Sequence, residues 1–228
     1  MAVNSRTEPM RLVVLISGNG SNLQAIIDAS ALSLNVKICA VISNRPGVYG
    51  LQRAAKANIP HHTIDHKSFA NRESFDVELK ATIDSYNPDL VVLAGFMRVL
   101  TDDFVRSYRD RMLNIHPSLL PKYRGLNTHA KAIAAGDSYH GASVHFVTET
   151  LDGGPVIVQA RVPIIENDTV ESLAQRVQNV EHRIYIKALE WLCHQRLVCQ
   201  TGQLSFDGEP LLKPLIMEAN NEHELQMV

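Results

Sequence analysis

Short runs of apolar residues alternate with helix-like stretches over the first half of the chain. The apolar runs span residues 11–17, 36–43, 62–64, 89–94 and 111–116. Apolar residues recur at helical spacing in the stretches 22–34, 50–58, 69–86 and 101–108. Runs of Val, Ile and Leu without alternation indicate strands covered on both faces, and helices between strands indicate βαβ units. We therefore predict a doubly wound α/β core with a mostly parallel sheet over residues 10–116.

The pattern changes after residue 116. An irregular stretch spans residues 117–127, and a short helix is predicted over 128–135. Two strands are predicted at 141–149 and 156–163, on either side of a Gly-rich turn. Strands joined by a short turn pair in opposite directions, so we predict antiparallel strands in the C-terminal half of a single domain.

The last helix has the clearest pattern. Asp168 is the predicted N-cap, with Glu171 as its capping-box partner three residues later. An apolar stripe with spacing of three and four residues then continues to Trp191, which predicts a face packed on the core. Residues 1–195 form the predicted domain, and residues 196–228 form a C-terminal extension with a hairpin and a frayed tail.

Composition and charge restrict the class of protein. The chain has 228 residues, of which 45% are apolar and 20% charged, as in ordinary globular proteins. A formal net charge of −2 argues against a general surface for nucleic acid or anionic membranes. Three scattered cysteines without a C-x-x-C pair argue against a disulfide framework and a thiolate zinc site.

The N-terminal segment and the apolar runs bear on location. Residues 1–10 are polar and lack the apolar block of a signal peptide, so we expect a disordered leader, with Met10 as an alternative start. No apolar run approaches the roughly 18 residues that span a bilayer. We expect a soluble, cytoplasmic protein; the sequence leaves its oligomeric state open.

The first chemical motif is a glycine-rich turn, SGNGSN at residues 17–22, between the first strand and the first helix. Glycines allow a tight turn, and the free N–H groups of a helix start favour an anion. A dinucleotide fingerprint needs a third glycine where Leu23 stands, and an acidic residue after the second strand, where Arg45 follows Asn44. A single phosphate monoester therefore fits best, and a plain βα turn with an Asx cap is the alternative.

The second motif is Asn114 and His116 in the strand LNIH. Alternate strand residues face the same side, and this pair lies at the carboxyl end of a parallel strand, where α/β proteins bind ligands. An amide beside an imidazole stabilises an oxyanion and moves a proton. The alternative is a hydrogen-bonded structural pair.

A third motif is Asp152 in the turn LDGGP. The simplest interpretation is an ordinary Asp-Gly turn. If Asp152 lies near His116, its charge is expected to raise the pKa of that imidazole. His140 and His145 are spaced as His-x-x-x-x-His, a weak signal, and we expect no metal site.

Five segments, in chain order, resemble a known family. They are GNGSNLQAIID, VVLAGFMRVL, LNIHPSLLPKYRG, GASVHFVTETLDGGP and VQNVEH. Over about residues 10–195 the chain resembles the phosphoribosylglycinamide formyltransferase family. The Asn-x-His-Pro and Leu-Asp-x-Gly signatures are shared by formyltransferases and deformylases that use 10-formyltetrahydrofolate. The Gly-Asn-Gly-Ser-Asn and Val-Gln-x-x-Glu-His segments are more particular to this family.

The resemblance implies a Rossmann-like enzyme of purine biosynthesis that transfers a formyl group from 10-formyltetrahydrofolate, a co-substrate, to the amine of 5′-phosphoribosylglycinamide. It implies direct attack through a tetrahedral intermediate, without a metal. The implied catalytic residues are Asn114, His116 and Asp152. The implied ribotide-binding residues are Gly20, Ser21, Asn22, Gln178, Asn179, Val180 and Glu181. The implied folate-binding residues are Arg72, Met97, Arg98, Val99, Leu100, Asn114, Thr148, Glu149, Thr150, Leu151 and Asp152.

The chain departs from the family pattern in one loop, and other functions stay open. Arg124 stands where a proline is expected, and Asn127 where a histidine is frequent. A 10-formyltetrahydrofolate deformylase would share the catalytic trio, and a tRNA-directed formyltransferase would need a further basic domain. A nucleotide-binding oxidoreductase, with Arg45 at a 2′-phosphate, is disfavoured by Leu23. A non-enzymatic ribotide-binding module would leave the Asn114 and His116 pair without a role.

Overall fold

The computed structural model describes residues 8–219 and 225–227. The first half contains β1 (Met10–Ile16), α1 (Ser21–Leu32), β2 (Val36–Ser43), α2 (Tyr49–Lys56), β3 (His61–Thr63), α3 (Arg72–Asp84), β4 (Leu90–Leu93), α4 (Asp102–Ser107) and β5 (Met112–His116). The second half contains α5 (Thr128–Ala134), β6 (Tyr139–Phe146), β7 (Val156–Pro163), α6 (Val170–Cys193), β8 (Leu197–Gln200), β9 (Gln203–Phe206), β10 (Glu209–Pro210), β11 (Leu215–Ala219) and β12 (Leu225–Met227).

Within the described residues, nine strands form one sheet in the order β12-β11-β7-β6-β5-β4-β1-β2-β3. Strands β1 to β5 are parallel, and β6 runs antiparallel to both β5 and β7. The predicted doubly wound, mostly parallel sheet with antiparallel strands in the C-terminal half is confirmed. Because the strand order reverses between β1 and β4, the loops after these strands open a cleft at their carboxyl ends.

The continuous apolar runs are explained by cores on both faces of the sheet. In β1, Leu12, Val14 and Ile16 pack in one core with residues of α1, α2 and α6. The intervening Val13 and Leu15 pack in a second core with α3 and α4. Each strand residue is therefore buried whichever way it points, which removes the in–out alternation of a half-exposed strand.

The predicted N-cap of the last helix is wrong by one residue. Thr169 is the N-cap, with an extended backbone, and its side chain and that of Ser172 form a reciprocal capping box. Asp168 instead accepts hydrogen bonds from Ser172 Oγ and the backbone N–H of Ile165 and is ion-paired with Arg176. The hydroxyl of Ser172 replaces the expected carboxylate of Glu171 because Ser172 occupies the third helical position.

The C-terminal extension is part of the structure. Strands β8 and β9 form the predicted hairpin, and β10 pairs with β9. Strand β11 runs parallel to β7 at the edge of the main sheet, and β12 pairs with β11. The predicted fraying of residues 218–228 is therefore wrong for 218–219 and 225–227, because β7 offers an edge of backbone N–H and C=O groups from which β11 and then β12 extend the sheet. Residues 220–224 and 228 of that prediction lie outside the described residues.

Two further boundaries differ from expectation. Met10 is not part of a leader: it is the first residue of β1, is buried, and donates its N–H to the carbonyl of Asn35 at 3.0 Å. Residues 1–7 of the predicted leader lie outside the described residues. Helix α3 begins at Arg72, since Asn71 caps its first turn by accepting the N–H of Ser74 at 2.8 Å. Among the described helices, none is long and apolar enough to cross a membrane.

Candidate active site

The turn between β1 and α1 presents unused backbone donors. Gly20 is the N-cap of α1, with φ of 73°, and in the described structure no side chain accepts the first-turn N–H groups. A Cβ at Gly20 would lie 2.9 Å from the Cα of Gly50, so both the positive φ and the close approach require glycine. The first turn of α1 therefore points several N–H groups at one spot, where an anion is stabilised.

Helix α6 lies against this turn through two side-chain pairs. Gln178 Nε2 donates to Ser21 Oγ at 3.1 Å, and Asn22 Nδ2 donates to Glu181 Oε2 at 2.9 Å. Asn22 Oδ1 is buried and has no hydrogen-bond partner among residues 8–219 and 225–227. Burial raises the pKa of Glu181, an effect that the bond from Asn22 partly opposes. The side-chain oxygen of Asn22 can thus accept a hydrogen bond from a ligand, and the carboxyl of Glu181 beside it has a raised pKa.

The four consecutive residues predicted in α6 do not face the same way. Gln178 and Glu181 are three residues apart and share a helix face. Val180 is buried in the hydrophobic core, and Asn179 is exposed. Within the described structure, the side chains of Gln178 and Glu181 therefore reach the turn, whereas that of Val180 serves packing.

The three predicted catalytic side chains lie together. Asn114 and His116 project from the carboxyl end of β5, and Asp152 lies in the turn between β6 and β7. Asn114 Nδ2 is 3.5 Å from Asp152 Oδ1, and His116 Nδ1 is 3.4 Å from Asp152 Oδ2. His116 is 6% exposed, so this imidazole and carboxylate interact with little screening by water.

Sheet register places this trio beside the turn after β1. Leu15 of β1 is paired with Leu93 of β4, and Leu93 with Asn114 of β5. Two strand spacings amount to about 10 Å. The turn after β1 and the predicted catalytic trio therefore lie near each other, at the edge of the sheet formed by the carboxyl ends of the parallel strands.

A fourth polar side chain, His145, completes the cluster and was not predicted as part of it. His145 Nε2 is 3.1 Å from Asn114 Nδ2 and 3.8 Å from Asp152 Oδ1. Its Nδ1 is 2.9 Å from the carbonyl oxygen of Phe146, so Nδ1 carries the proton and Nε2 accepts from the amide. Burial lowers the pKa of His145, which favours this neutral form. His145 lies beside Asn114 because the two residues are paired across antiparallel strands. This pairing would have identified His145, but it is not visible in either segment alone.

The segment 117–127 covers the catalytic pair with its backbone. His116 Nε2 is 2.9 Å from the carbonyl oxygen of Tyr123, and the N–H of Gly125 donates to Asp152 Oδ2 at 2.9 Å. Both ring nitrogens of His116 thus face oxygen atoms, Nε2 the Tyr123 carbonyl and Nδ1 the Asp152 carboxylate.

The two positions that depart from the family pattern lie in this segment. Asn127 has φ of 60° and is the N-cap of α5, a left-handed conformation that asparagine tolerates better than most residues. Arg124 lines a cavity of about 570 Å³ together with Asp152 and Lys213 of the extension. Burial is the main cause of the lowered pKa of His145, and the charge of Arg124 makes a smaller contribution in the same direction.

The predicted folate residues border a second part of the cleft. Arg72, Val99, Leu100 and Glu149 line one cavity of about 580 Å³. The N–H of Met97 donates to Ser17 Oγ at 2.7 Å, which ties this segment to the end of β1. Met97, Val99 and Leu151 keep 58%, 52% and 53% of their surfaces exposed. This region offers apolar surface together with a cation, Arg72.

The remaining predicted folate residues are held by local contacts. The guanidinium of Arg98 lies over the ring of Phe75 at 4.5 Å, and its Nε is buried without a partner. Glu149 is ion-paired with Arg109 at 3.3 Å. Thr148 Oγ1 donates to the carbonyl oxygen of Thr150 at 3.5 Å.

Sequence comparison identifies a family for most of the chain. Residues 10–189 match the profile described as Formyl transferase. The chain is 52% identical over 203 residues to the phosphoribosylglycinamide formyltransferase of Escherichia coli strain K12, covering 89% of this chain and 96% of that protein. It is 45% identical over 200 residues to the human trifunctional purine biosynthetic protein adenosine-3, covering 87% of this chain and 19% of that protein.

Solved structures share the fold over the same length. A phosphoribosylglycinamide formyltransferase from Coxiella burnetii has a TM-score of 0.86 and 55% identity, covering 90% of this chain and 96% of that chain. A glycinamide ribonucleotide transformylase 1 from Symbiobacterium toebii has a TM-score of 0.85 and 39% identity, covering 90% and 98%.

Proposed function

The chain belongs to the formyl transferase family, and within it to the phosphoribosylglycinamide formyltransferases, and from this premise we propose that it transfers a formyl group from 10-formyltetrahydrofolate to the amine of 5′-phosphoribosylglycinamide. The observation that carries the proposal is the cluster of Asn114, His116 and Asp152, which lies at the same carboxyl-end edge of the sheet as the turn at Gly20. An anchored phosphate would hold the ribotide so that its amine reaches the cluster.

The residues at the anion-binding turn fit a phosphorylated sugar. The first-turn N–H groups of α1 would bind the phosphate oxygens, with the helix dipole adding to the attraction. Asn22 Oδ1, which is buried and has no partner among the described residues, would accept a hydrogen bond from a hydroxyl or amine of the ribotide. Glu181, with its raised pKa, would face the glycinamide end.

The opposite part of the cleft fits a folate. The exposed apolar side chains of Met97, Val99 and Leu151 suit a flat ring system, and Arg72, one of three cations that line the cavity of about 580 Å³, suits an acidic tail. When bound, 10-formyltetrahydrofolate supplies an electrophilic formyl carbon. The chain's own residues then have to hold the charge and move the proton that the transfer requires.

Two donors are assigned to the charge that develops on the formyl oxygen during attack by the amine. They are the second N–H of Asn114, which lies 3.5 Å from Asp152 Oδ1 in this structure, and the Nε2–H of His116, which lies 2.9 Å from the Tyr123 carbonyl; each would exchange that acceptor for the formyl oxygen. A donor of this kind typically contributes about 10²–10³ in kcat. His116 would also deliver the proton that the departing nitrogen needs, a contribution of about 10²–10⁴. In this proposal the amide and imidazolium provide the stabilisation, and no metal ion is required.

Asp152 and His145 act on these two donors. Asp152, 3.4 Å from His116 Nδ1, would stabilise the protonated imidazole and orient a water molecule. His145 would fix the rotation of the Asn114 amide. Holding two substrates at bonding distance supplies much of the remaining acceleration.

The experiment measures formation of tetrahydrofolate by absorbance, with and without 5′-phosphoribosylglycinamide, and identifies the formylated ribotide by mass spectrometry. Folate product that depends on the ribotide supports the proposal. Equal folate product without it would indicate a deformylase, and no turnover with bound ribotide would indicate a binding module. A cytoplasmic location and the absence of nucleic-acid partners remain predictions.

A further inference from the structure

Arg53 of α2 contacts the anion-binding turn with its whole guanidinium group. Its Nε donates to the backbone carbonyl of Asn19 at 2.9 Å, and its Nη2 donates to the side-chain oxygen of Asn19 at 2.9 Å. Its Nη1 donates to Gln24 Oε1 in α1 at 3.0 Å. The side chain of Arg53 thus connects Asn19, the residue before Gly20, with Gln24 near the start of α1.

The backbone around Arg53 is held equally closely. The N–H of Gly50 donates to the carbonyl of Gly18 at 3.1 Å, and the Cα atoms of Gly50 and Gly20 lie at a separation that excludes a Cβ on Gly20. The guanidinium of Arg53 also lies over the ring of Tyr49, 4.6 Å from its centroid. This stacking restricts the rotamers of Arg53 before any ligand arrives.

Arg53 also carries the positive charge at this end of the cleft. His182 follows Gln178 by one helical turn on the same side of α6, and its Nε2 is buried without a hydrogen-bond partner. Burial lowers the pKa of His182, and the charge of Arg53 lowers it further. Both causes favour the neutral form of His182, and the cation that contacts the turn is the guanidinium of Arg53.

We propose that Arg53 is a positioning residue for the ribotide phosphate: it fixes Asn19 so that the first-turn N–H groups of α1 converge, and it places a cation behind the turn. The proposal rests on the proposed function, because it assigns the anion at this turn to the ribotide. It makes no claim that Arg53 contacts the reacting atoms. The geometry requires both the fork of donors and the charge, and lysine supplies only the charge.

The test compares Arg53→Met, Arg53→Lys and, as a matched control, Lys56→Gln. Lys56 is an exposed cation three residues along the same helix, 5.9 Å from the centroid of the Tyr49 ring, so its loss removes one charge and one contact with that ring but none of the three hydrogen bonds of Arg53. Steady-state kinetics are measured for each substrate, and the inhibition constant of inorganic phosphate against the ribotide is measured alongside. Thermal unfolding of each variant reports whether α2 stays folded.

For Arg53→Met we expect the KM for the ribotide and the inhibition constant of phosphate to rise about 10- to 100-fold. The kcat at saturation and the KM for the folate should stay within about threefold, Arg53→Lys should recover part of the loss, and Lys56→Gln should resemble the wild type. A ribotide KM that is unchanged, or that rises no more than the folate KM, would overturn the inference. If the wild type transfers no formyl group, the proposed function fails, while phosphate binding measured by calorimetry still tests Arg53.

Discussion

The side-chain amide of Asn114 donates to Nε2 of His145 across the β5–β6 pair, at 3.1 Å. His145 is locked in turn by the carbonyl of Phe146, so the amide has one orientation in which its nitrogen faces the cleft. An amide without this partner would rotate and present its oxygen to the developing negative charge. The orientation of the donor proposed at Asn114 therefore depends on a residue of the neighbouring strand.

Replacement of His145 tests this dependence. In His145→Leu the amide loses its acceptor, and we expect kcat to fall about 10²-fold, as for a misplaced catalytic group, with both KM values within a few-fold. His145→Gln keeps an acceptor oxygen and should retain more activity than His145→Leu. Single-turnover kinetics separate the chemical step from product release. Equal activity of the wild type and His145→Leu would contradict the assignment.

His116 and Asp152 should affect turnover more than binding. We expect His116→Ala and Asp152→Asn each to lower kcat at least about 10²-fold, because a charge-stabilising donor or its orienting carboxylate is lost. The dissociation constant of the ribotide, measured by calorimetry, should change less than threefold. A change confined to KM, with kcat intact, would show that these side chains only bind substrate.

A negative charge at the anion-binding turn should exclude the ribotide. Ser21→Asp places a carboxylate in the first turn of α1, where it would compete for the same N–H groups and repel a phosphate. We expect ribotide affinity to fall at least about tenfold and folate affinity to stay the same. Ser21→Ala, which also loses the contact with Gln178 but adds no charge, is the control. Unchanged ribotide binding by Ser21→Asp would remove the phosphate from this turn.

His140 should make the fold sensitive to acid. Burial lowers the pKa of His140 to about 4, and His140 is 1% exposed. Since the unfolded chain binds the proton first, stability is complete above about pH 6.5 and is lost as the pH falls from 6.5 towards 4, by up to about 3 kcal/mol. Denaturant unfolding between pH 7 and pH 4 should show a smaller loss in His140→Gln. Equal pH dependence in the two proteins would contradict this role.

The extension should contribute to the stability of the sheet. Met217 in β11 is 6% exposed, whereas Leu212, in the segment that precedes β11, is 90% exposed. We expect Met217→Ala to lower the free energy of unfolding by about 2 kcal/mol, and Leu212→Ala to leave it nearly unchanged. Urea unfolding monitored by circular dichroism compares the two. Similar values for both variants would mean that β11 adds little to the core.

Patterns within one segment were sufficient for much of the site. The glycine turn at Gly20 and the pair Asn114 and His116 are both marked by residue types that a buried βαβ unit would not otherwise place there. Their common location follows from a general rule, since parallel strands end at the same edge of a sheet. Asp152 could be connected to them only through family resemblance, because an Asp-Gly turn is common in any protein.

Other features depended on pairings between distant segments. His145 joins the cluster because β6 pairs with β5 in one particular register, and a shift of one residue would turn its side chain to the other face. Arg53 reaches Asn19 because α2 packs on the turn through two glycines. Strand β11 is ordered because β7 leaves an edge to pair with. Nothing in the local composition of these segments specifies such partners.

Periodicity and residue chemistry are properties of neighbours along the chain, so they sufficed to predict the α/β layers, the anion-binding turn and the amide–imidazole pair. Strand register, cap identity at Thr169 and the packing of Arg53 against the turn were decided by the folded chain. The register and the Arg53 contacts arise between residues far apart in sequence, whose free energies count only when the whole sheet is assembled, whereas the cap is a local choice between neighbouring polar residues.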